Sequence, residues 1–132
     1  MRWSMKSETK IWLDYAEENL KSSKILLDNK LYNPSLQNAQ QSVEKALKAI
    51  FIEYEINLKR THDILELKYL LQRKDIIVNI SDDECDLLNA IYLPSKYPMG
   101  DTTDEIDPDD ELCRISIDIA EKVFASAIDL IK

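Results

Sequence analysis

The chain has 132 residues, 45% of them hydrophobic, which suffices for one domain with its own core and is too short for two. Acids outnumber bases by 25 to 17, and the net charge of −8 gives the molecule as a whole no attraction for nucleic acid. A single glycine excludes the glycine-rich phosphate loops of Walker and Rossmann sites, and a single histidine excludes a multi-histidine zinc centre.

The first half of the chain predicts two long helices, because it is rich in Leu, Ala, Glu and Lys. The first helix is expected from about Glu8 to Asp28. Asn33 and Pro34 fit an N-cap followed by a proline at the first position of a second helix, which should run to about Glu55. The apolar face of the first helix is predicted to carry Trp12, Tyr15, Ala16, Leu20, Leu26 and Leu27.

The second helix carries two faces on a wheel of 3.6 residues per turn. Its apolar face comprises Leu36, Ala39, Val43, Ala46, Leu47, Ile50 and Tyr54. A separate polar stripe comprises Gln37, Gln41, Glu44 and Lys48. Periodicity alone favours a solvated face for this stripe, since Glu44 four residues before Lys48 is a common exposed helix pair. A working face is the alternative.

The only histidine lies where a shorter third helix is predicted to begin. Thr61 fits its N-cap, which would place His62 and Asp63 in the first turn. The dipole at a helix N-terminus disfavours a charged histidine unless an acid offsets it. The plain interpretation of His62 is a structural or capping residue, and the alternative is a functional one.

Two more helices complete the predicted bundle. Ser81 with Glu84 has capping-box spacing and opens a fourth helix, whose exit is bracketed by Pro94 and Pro98. The acidic residues between 101 and 111 fit a solvated loop rather than a calcium site, and the last helix is expected over about 108–131. Its two apolar stripes predict either a central position in the bundle or a contact with a second subunit. A homodimer would supply that contact.

The N-terminal segment, the longest apolar runs and the cysteines indicate the cellular compartment. Residues 1–6 lack the apolar run of a signal peptide, and nowhere do about eighteen apolar residues run together as a membrane span requires. Cys85 and Cys113 have no CxxC partner, so we expect both to be buried. These features predict a cytoplasmic protein without a membrane contact.

Several motifs along the chain form one pattern. It comprises Trp12 with Tyr15-Ala16, residues 40–49 with the sequence QQSVEKALKA, Thr61-His62-Asp63-Ile64, Tyr92 and Tyr97-Pro98. The pattern spans most of the chain and resembles the HEPN family, helical modules named for higher eukaryotes and prokaryotes nucleotide-binding. Residues 40–49 resemble the most recognisable helix of the family, residues 61–64 are similar to the start of its following helix, and residues 12–16 resemble its opening helix.

The resemblance implies one HEPN domain over residues 1–132, an all-α, up-and-down helical bundle of four main helices plus a shorter fifth. It further implies a homodimer, often paired with a small nucleotidyltransferase as a toxin and antitoxin. It also implies that the ligand is a nucleotide, and the sequence indicates no other cofactor and no metal site. The residues it marks for binding a ligand or partner are Gln41, Glu44, Lys45, Lys48, His62, Lys96 and Tyr97.

The ribonuclease branch of this family carries an arginine, four to six residues, and then a histidine. Here Arg60 and His62 are separated by one residue, and no other arginine precedes the histidine at the required spacing. We therefore expect a non-nuclease subunit that binds a nucleotide, a nucleotidyltransferase, or both. Two alternatives stay open: a divergent endoribonuclease that uses His62 as general acid or base, and a purely structural dimerisation module.

Overall fold

The computed structural model describes residues 5–58, 60–96 and 107–132, together with their side chains except those of 93–96. Within this part of the chain the secondary structure is entirely helical, which confirms the predicted all-α class. The helices are α1 (Ser7–Asp28), α2 (Tyr32–Glu53), α3 (Ile64–Gln72), α4 (Asp82–Lys96) and α5 (Asp110–Ile131).

The four longer helices alternate in direction. Hydrogen bonds pair Ser23 of α1 with Ser35 of α2, and Ser42 of α2 with the carbonyl of Ala16, so α1 and α2 run antiparallel. Cys113 near the start of α5 donates to the carbonyl of Tyr32, and Tyr54 just after α2 donates to the carbonyl of Leu130 near the end of α5, so α5 runs parallel to α2. The described elements form the predicted up-and-down bundle, with the nine-residue α3 as its shorter member.

The central helix is α2, not α5. It packs against each of the other four helices, and its buried residues lie around most of its circumference. The two apolar stripes of α5 are largely covered within the single chain, although Ile115 is 42% exposed. Tyr54, assigned from the sequence to the apolar face of α2, follows the helix and is exposed. A homodimer stays a prediction.

Helix α2 begins one residue before the predicted N-cap. Leu31 occupies the cap position, and its side chain makes no capping hydrogen bond. Asn33 is therefore the second helical residue and Pro34 the third. The first backbone N–H groups of a helix have no partner within it, so a proline at the third position costs no hydrogen bond.

Helix α4 shows the predicted capping box. The Ser81 backbone N–H donates to Glu84 Oε1 at 2.9 Å, and the Glu84 N–H donates to Ser81 Oγ at 3.1 Å. Pro94 lies within the helix rather than at its exit. Pro98 lies outside the described residues.

Helix α5 begins at Asp110, two residues after the predicted start at 108, and an aspartate of the acidic segment caps it. Asp109 accepts a hydrogen bond from the Leu112 N–H at 2.7 Å, whereas Asp107 and Pro108 precede the cap. An aspartate at this position satisfies an unpaired N–H and interacts favourably with the helix dipole. The acids at 101–106 lie outside the described residues.

Candidate functional site

A buried carboxylate lies at the centre of α2 and holds three other side chains. Glu44 is 3% exposed, and its Oε2 accepts a hydrogen bond from Lys48 Nζ at 2.7 Å. His62 Nδ1 lies 3.0 Å from both Glu44 oxygens, and Gln40 Nε2 donates to Oε1 at 3.3 Å. Tyr92 of α4 stacks on the His62 ring. We call Gln40, Glu44, Lys48, His62 and Tyr92 the Glu44 cluster.

The expectation of a solvated polar stripe is wrong for its two charged members. Glu44 and Lys48 form the predicted helix pair, but both are buried because other elements cover this side of α2. The Lys48 ammonium lies 5.9 Å from the centre of the Trp12 ring on α1, a distance that suits a cation–π contact. A helical wheel shows where residues lie around one helix, but it does not show which neighbours cover them.

The electrostatics of Glu44 follow from burial and from its two partners. Burial on its own raises the pKa of a carboxyl group, because it disfavours the charged form. At Glu44 the hydrogen bonds from Lys48 and His62, the charge of Lys48, and the charge that His62 carries when it is protonated together outweigh burial, and the pKa of Glu44 is lowered from the ordinary value of 4.5. Glu44 is therefore an ionised carboxylate at neutral pH.

His62 is held in position from two directions. Its ring lies 4.5 Å from the Tyr92 ring, centre to centre, with 20° between the planes. An ionised carboxylate only accepts hydrogen bonds, so Nδ1 of His62 carries a proton and donates the hydrogen bond to Glu44. The side chain is nevertheless 53% exposed, which makes this imidazole the accessible part of an otherwise buried cluster.

The backbone before α3 explains how His62 comes to lie there. Asp63, not Thr61, is the N-cap of α3, and its side chain accepts from the Glu66 N–H at 3.2 Å. Thr61 Oγ1 accepts from the Asp63 N–H at 3.1 Å, and Asn89 of α4 donates to Asp63 Oδ1. His62 therefore precedes the helix, and the turn around it is fixed by its own polar side chains.

The structure brings together some of the sequence-predicted residues and separates others. Gln41 is half-buried beside the cluster and donates to Gln40 Oε1 at 2.7 Å. Lys45 lies on the α1 side instead, where it donates to Asn19 at 2.9 Å and approaches the Tyr15 ring. Lys96 is the last residue of α4, and its side chain is not among those described. Tyr97 lies outside the described residues.

Sequence reasoning missed three contributors to the site. Gln40 belongs to the α2 motif but is not among the predicted binding residues, although it is fully buried and connects Gln41 to Glu44. Tyr92 belongs only to the family pattern, and Trp12 belongs to that pattern and to the predicted apolar face of α1. A signal for Gln40 was available, because it lies four residues before Glu44 and such pairs meet on a helix.

The described residues include His, Cys, Asp and Glu side chains on several elements. Among them, no group of three or more His, Cys, Asp or Glu side chains is placed to hold a metal ion. None of the helices described is both long and apolar enough to cross a membrane. Cys85 and Cys113 are both buried, as predicted, and burial raises the pKa of the Cys85 thiol to about 11.

Comparison with known proteins agrees with this architecture. The sequence matches the HEPN domain family over residues 9–130. The chain belongs to that family. The matched HEPN region extends from α1 into α5 and so includes the described parts of the bundle.

Two solved structures share the HEPN fold of this chain. The crystal structure of an archaeal HEPN homologue gives a TM-score of 0.69 at 22% identity, covering 94% of this chain and 98% of that one. A protein from Thermus thermophilus gives a TM-score of 0.72 at 22% identity, covering 95% and 99% of the two chains. At these identities the likeness concerns the fold alone.

One relative is similar over a shorter segment. The chain is 29% identical over 63 residues to a protein of Methanocaldococcus jannaschii whose name describes a proposed toxin. The segment covers 48% of this chain and 47% of that protein, so the match spans about half of each.

Proposed function

We propose that this HEPN domain is a non-nuclease binding subunit, which holds a nucleotide at the Glu44 cluster and works with a small nucleotidyltransferase in a toxin and antitoxin pair. One observation carries the proposal: the half-exposed His62 ring is stacked on Tyr92 and anchored to a buried, charged pair. The ligand would contact the cluster through this ring.

The energetics of the cluster support a binding role over a purely structural one. A buried ion pair contributes little net stability, because desolvation of both charges offsets their attraction, and apolar residues of similar volume often do as well. Such a pair does fix the position of the groups bonded to it. Here the group fixed is an accessible imidazole, and preorganised contacts lose less entropy when a ligand binds.

The chemistry of the cluster matches the parts of a nucleotide. A base can stack on a histidine or tyrosine ring, and a phosphate is attracted by an exposed cation such as Arg60. The net charge of −8 makes local cations necessary for any anionic ligand. The resemblance of one segment to a relative named as a proposed toxin supports the toxin and antitoxin context.

Calorimetry and thermal unfolding with ATP, AMP and adenosine test nucleotide binding directly. A ligand that binds only the folded state stabilises it, by about 2.7 kcal/mol at a concentration one hundred times its Kd. We expect saturable binding by the parent protein and at least about a tenfold loss of affinity in His62→Ala, since that variant removes the ring that meets the ligand.

The control is Gln72→Ala, an exposed position at the end of α3 that should bind as the parent does. Charge reversal at Lys48 is unsuitable, because it would place a second carboxylate beside buried Glu44 and confuse unfolding with loss of binding. If none of these nucleotides binds, or if both variants bind like the parent, this function is wrong for the Glu44 cluster.

The partner is tested separately by co-purification. A nucleotidyltransferase encoded in the neighbouring reading frame should co-elute with the tagged chain, and the amount recovered should fall for His62→Ala but not for Gln72→Ala. Recovery that is the same for all three proteins would place the partner contact elsewhere on the bundle.

The hydrogen bond between Glu44 and His62 favours a second candidate, an endoribonuclease. A carboxylate that holds Nδ1 leaves Nε2 as a general acid or base, with Arg60 stabilising phosphate charge. Incubation with RNA decides between the two. Cleavage by the parent that is lost in His62→Ala would support the enzyme, whereas intact RNA, or equal cleavage by both proteins, would refute it.

A further inference from the structure

We infer that the Glu44 cluster is a proton-linked anion site, at which a phosphate-type group binds Nε2 of His62 and His62 takes up one proton as it does so. This inference rests on the proposed nucleotide-binding function and identifies the part of the ligand that the cluster recognises. It also makes the affinity depend on pH.

The hydrogen bonding of Glu44 determines which nitrogen meets the ligand. Both carboxylate oxygens of Glu44 lie within hydrogen-bond distance of other side chains. Its Oε1 is close to Gln40 and His62, and its Oε2 is close to Lys48 and His62. Nδ1 is thus committed to Glu44. Because the two nitrogens of an imidazole lie on different edges of the ring, Nε2 is the nitrogen left for a ligand.

The protonation state of Nε2 decides what it can bind. In the neutral ring with the proton on Nδ1, Nε2 carries a lone pair and repels an anion. In the protonated ring, Nε2–H donates a charge-assisted hydrogen bond, for which phosphate oxygens are strong acceptors. An anion therefore selects the protonated ring, and by linkage its binding draws a proton from the buffer.

The charges around His62 also favour the protonated ring when an anion is bound. The single negative charge of Glu44 is already matched by Lys48 at 2.7 Å, so a protonated His62 leaves the cluster with a net charge of about +1. Tyr92 is the residue of α4 that stacks on the ring, and the charged residues nearest to His62 in sequence are Asp63, next to it, and Arg60, two residues before it. The Asp63 carboxylate is bonded to the Glu66 N–H and to Asn89, on the α4 side of the turn.

The net positive charge is what an incoming anion would neutralise. An uncompensated charge beside buried groups is unfavourable, and a bound anion removes that cost. The neutral ring balances the cluster when the site is empty, and the protonated ring balances it when an anion is bound. The same groups thus serve both states with a single proton moved.

Sulfate is the first probe, because its charge does not change between about pH 8.5 and pH 5.5, the range in which an imidazole titrates. The chain has one histidine, so the imidazole signals in a proton NMR spectrum belong to His62 alone. We expect saturating sulfate to raise the pH midpoint of these signals by about one unit. A rise of that size means that sulfate binds the protonated ring about tenfold more tightly than the neutral ring. Sodium chloride at equal ionic strength is the control.

Calorimetry supplies the second readout. Titrations of sulfate and AMP at about pH 7.5, in two buffers of different ionisation enthalpy, should show the uptake of a fraction of a proton per anion bound, which for a one-unit rise of the midpoint is at most about half a proton. His62→Gln keeps a polar side chain but cannot take up the proton, and it should show an uptake near zero. Gln72→Ala should match the parent. Adenosine, which has no phosphate, should bind without proton uptake.

The outcomes separate this inference from the proposed function. Nucleotide binding with no proton uptake and an unmoved His62 midpoint overturns the inference and leaves the proposed function standing. A midpoint that moves with sulfate while no nucleotide binds supports the anion site and overturns the nucleotide function. Absence of any binding or midpoint change overturns both.

Discussion

Breaking the buried pair between Glu44 and Lys48 is expected to destabilise the protein far more than breaking an exposed pair of the same spacing. The perturbations are Glu44→Gln and Lys48→Met, made singly and together. Removing one partner of a buried pair leaves the other charge unpaired, which typically costs about 3 to 5 kcal/mol. Glu44 is 3% exposed and the Lys48 side chain 11%, so we expect about 3 kcal/mol for each single change.

The double variant should cost less than the sum of the singles. With both charges removed, no unpaired charge is left to bury, and replacement of a whole ion pair by uncharged groups is often close to neutral. Groups in direct contact show coupling energies of about 0.5 to 3 kcal/mol in such cycles, and the short bond at 2.7 Å places this pair toward the upper end.

Urea unfolding at neutral pH measures the free energy of unfolding of each variant. The slope of this free energy against urea concentration should be the same for all variants if they unfold in the same two-state transition. The matched control is Lys10 with Asp14, which has the same four-residue spacing at 3.0 Å but exposed side chains, 68% and 58%. Changing that pair to Met and Asn should cost no more than about 0.5 kcal/mol. Single changes at Glu44 and Lys48 that cost as little as the control would refute the argument that this pair is buried.

Two further predictions concern stability. Because the pKa of Glu44 is lowered on folding, its contribution is present above about pH 4.5, the ordinary value, and is lost as the pH falls through the lower folded value. The stability gap between the parent and Glu44→Gln should therefore shrink in urea titrations below about pH 4.5, and a constant gap would contradict the assigned shift. Ser81→Ala should cost about 1 kcal/mol by removing one half of the capping box, while Ser81→Thr should retain most of it; equal Tm values for all three proteins would contradict the capping role.

The sequence determined the fold through local signals. The apolar periodicity and the lack of glycine specify long helices, and short connections leave consecutive long helices antiparallel. The capping box at Ser81 was readable because both of its hydrogen bonds lie within four residues. The caps predicted at Asn33 and Thr61 are each displaced by two residues, because the backbone path places Leu31 at the cap of α2 and Asp63 at the cap of α3.

The tertiary structure decided the character of the site. From the sequence, Glu44 and Lys48 are indistinguishable from an ordinary exposed pair, because burial depends on elements that lie far away along the chain. Trp12 comes from α1, and Tyr92 from α4, nearly fifty residues beyond Glu44. Once they cover α2, the medium around the pair changes from water to protein, and the same two charges become strongly coupled to each other and to His62. The helices follow from local pattern, but the chemistry of the Glu44 cluster follows from which side chains the bundle brings together.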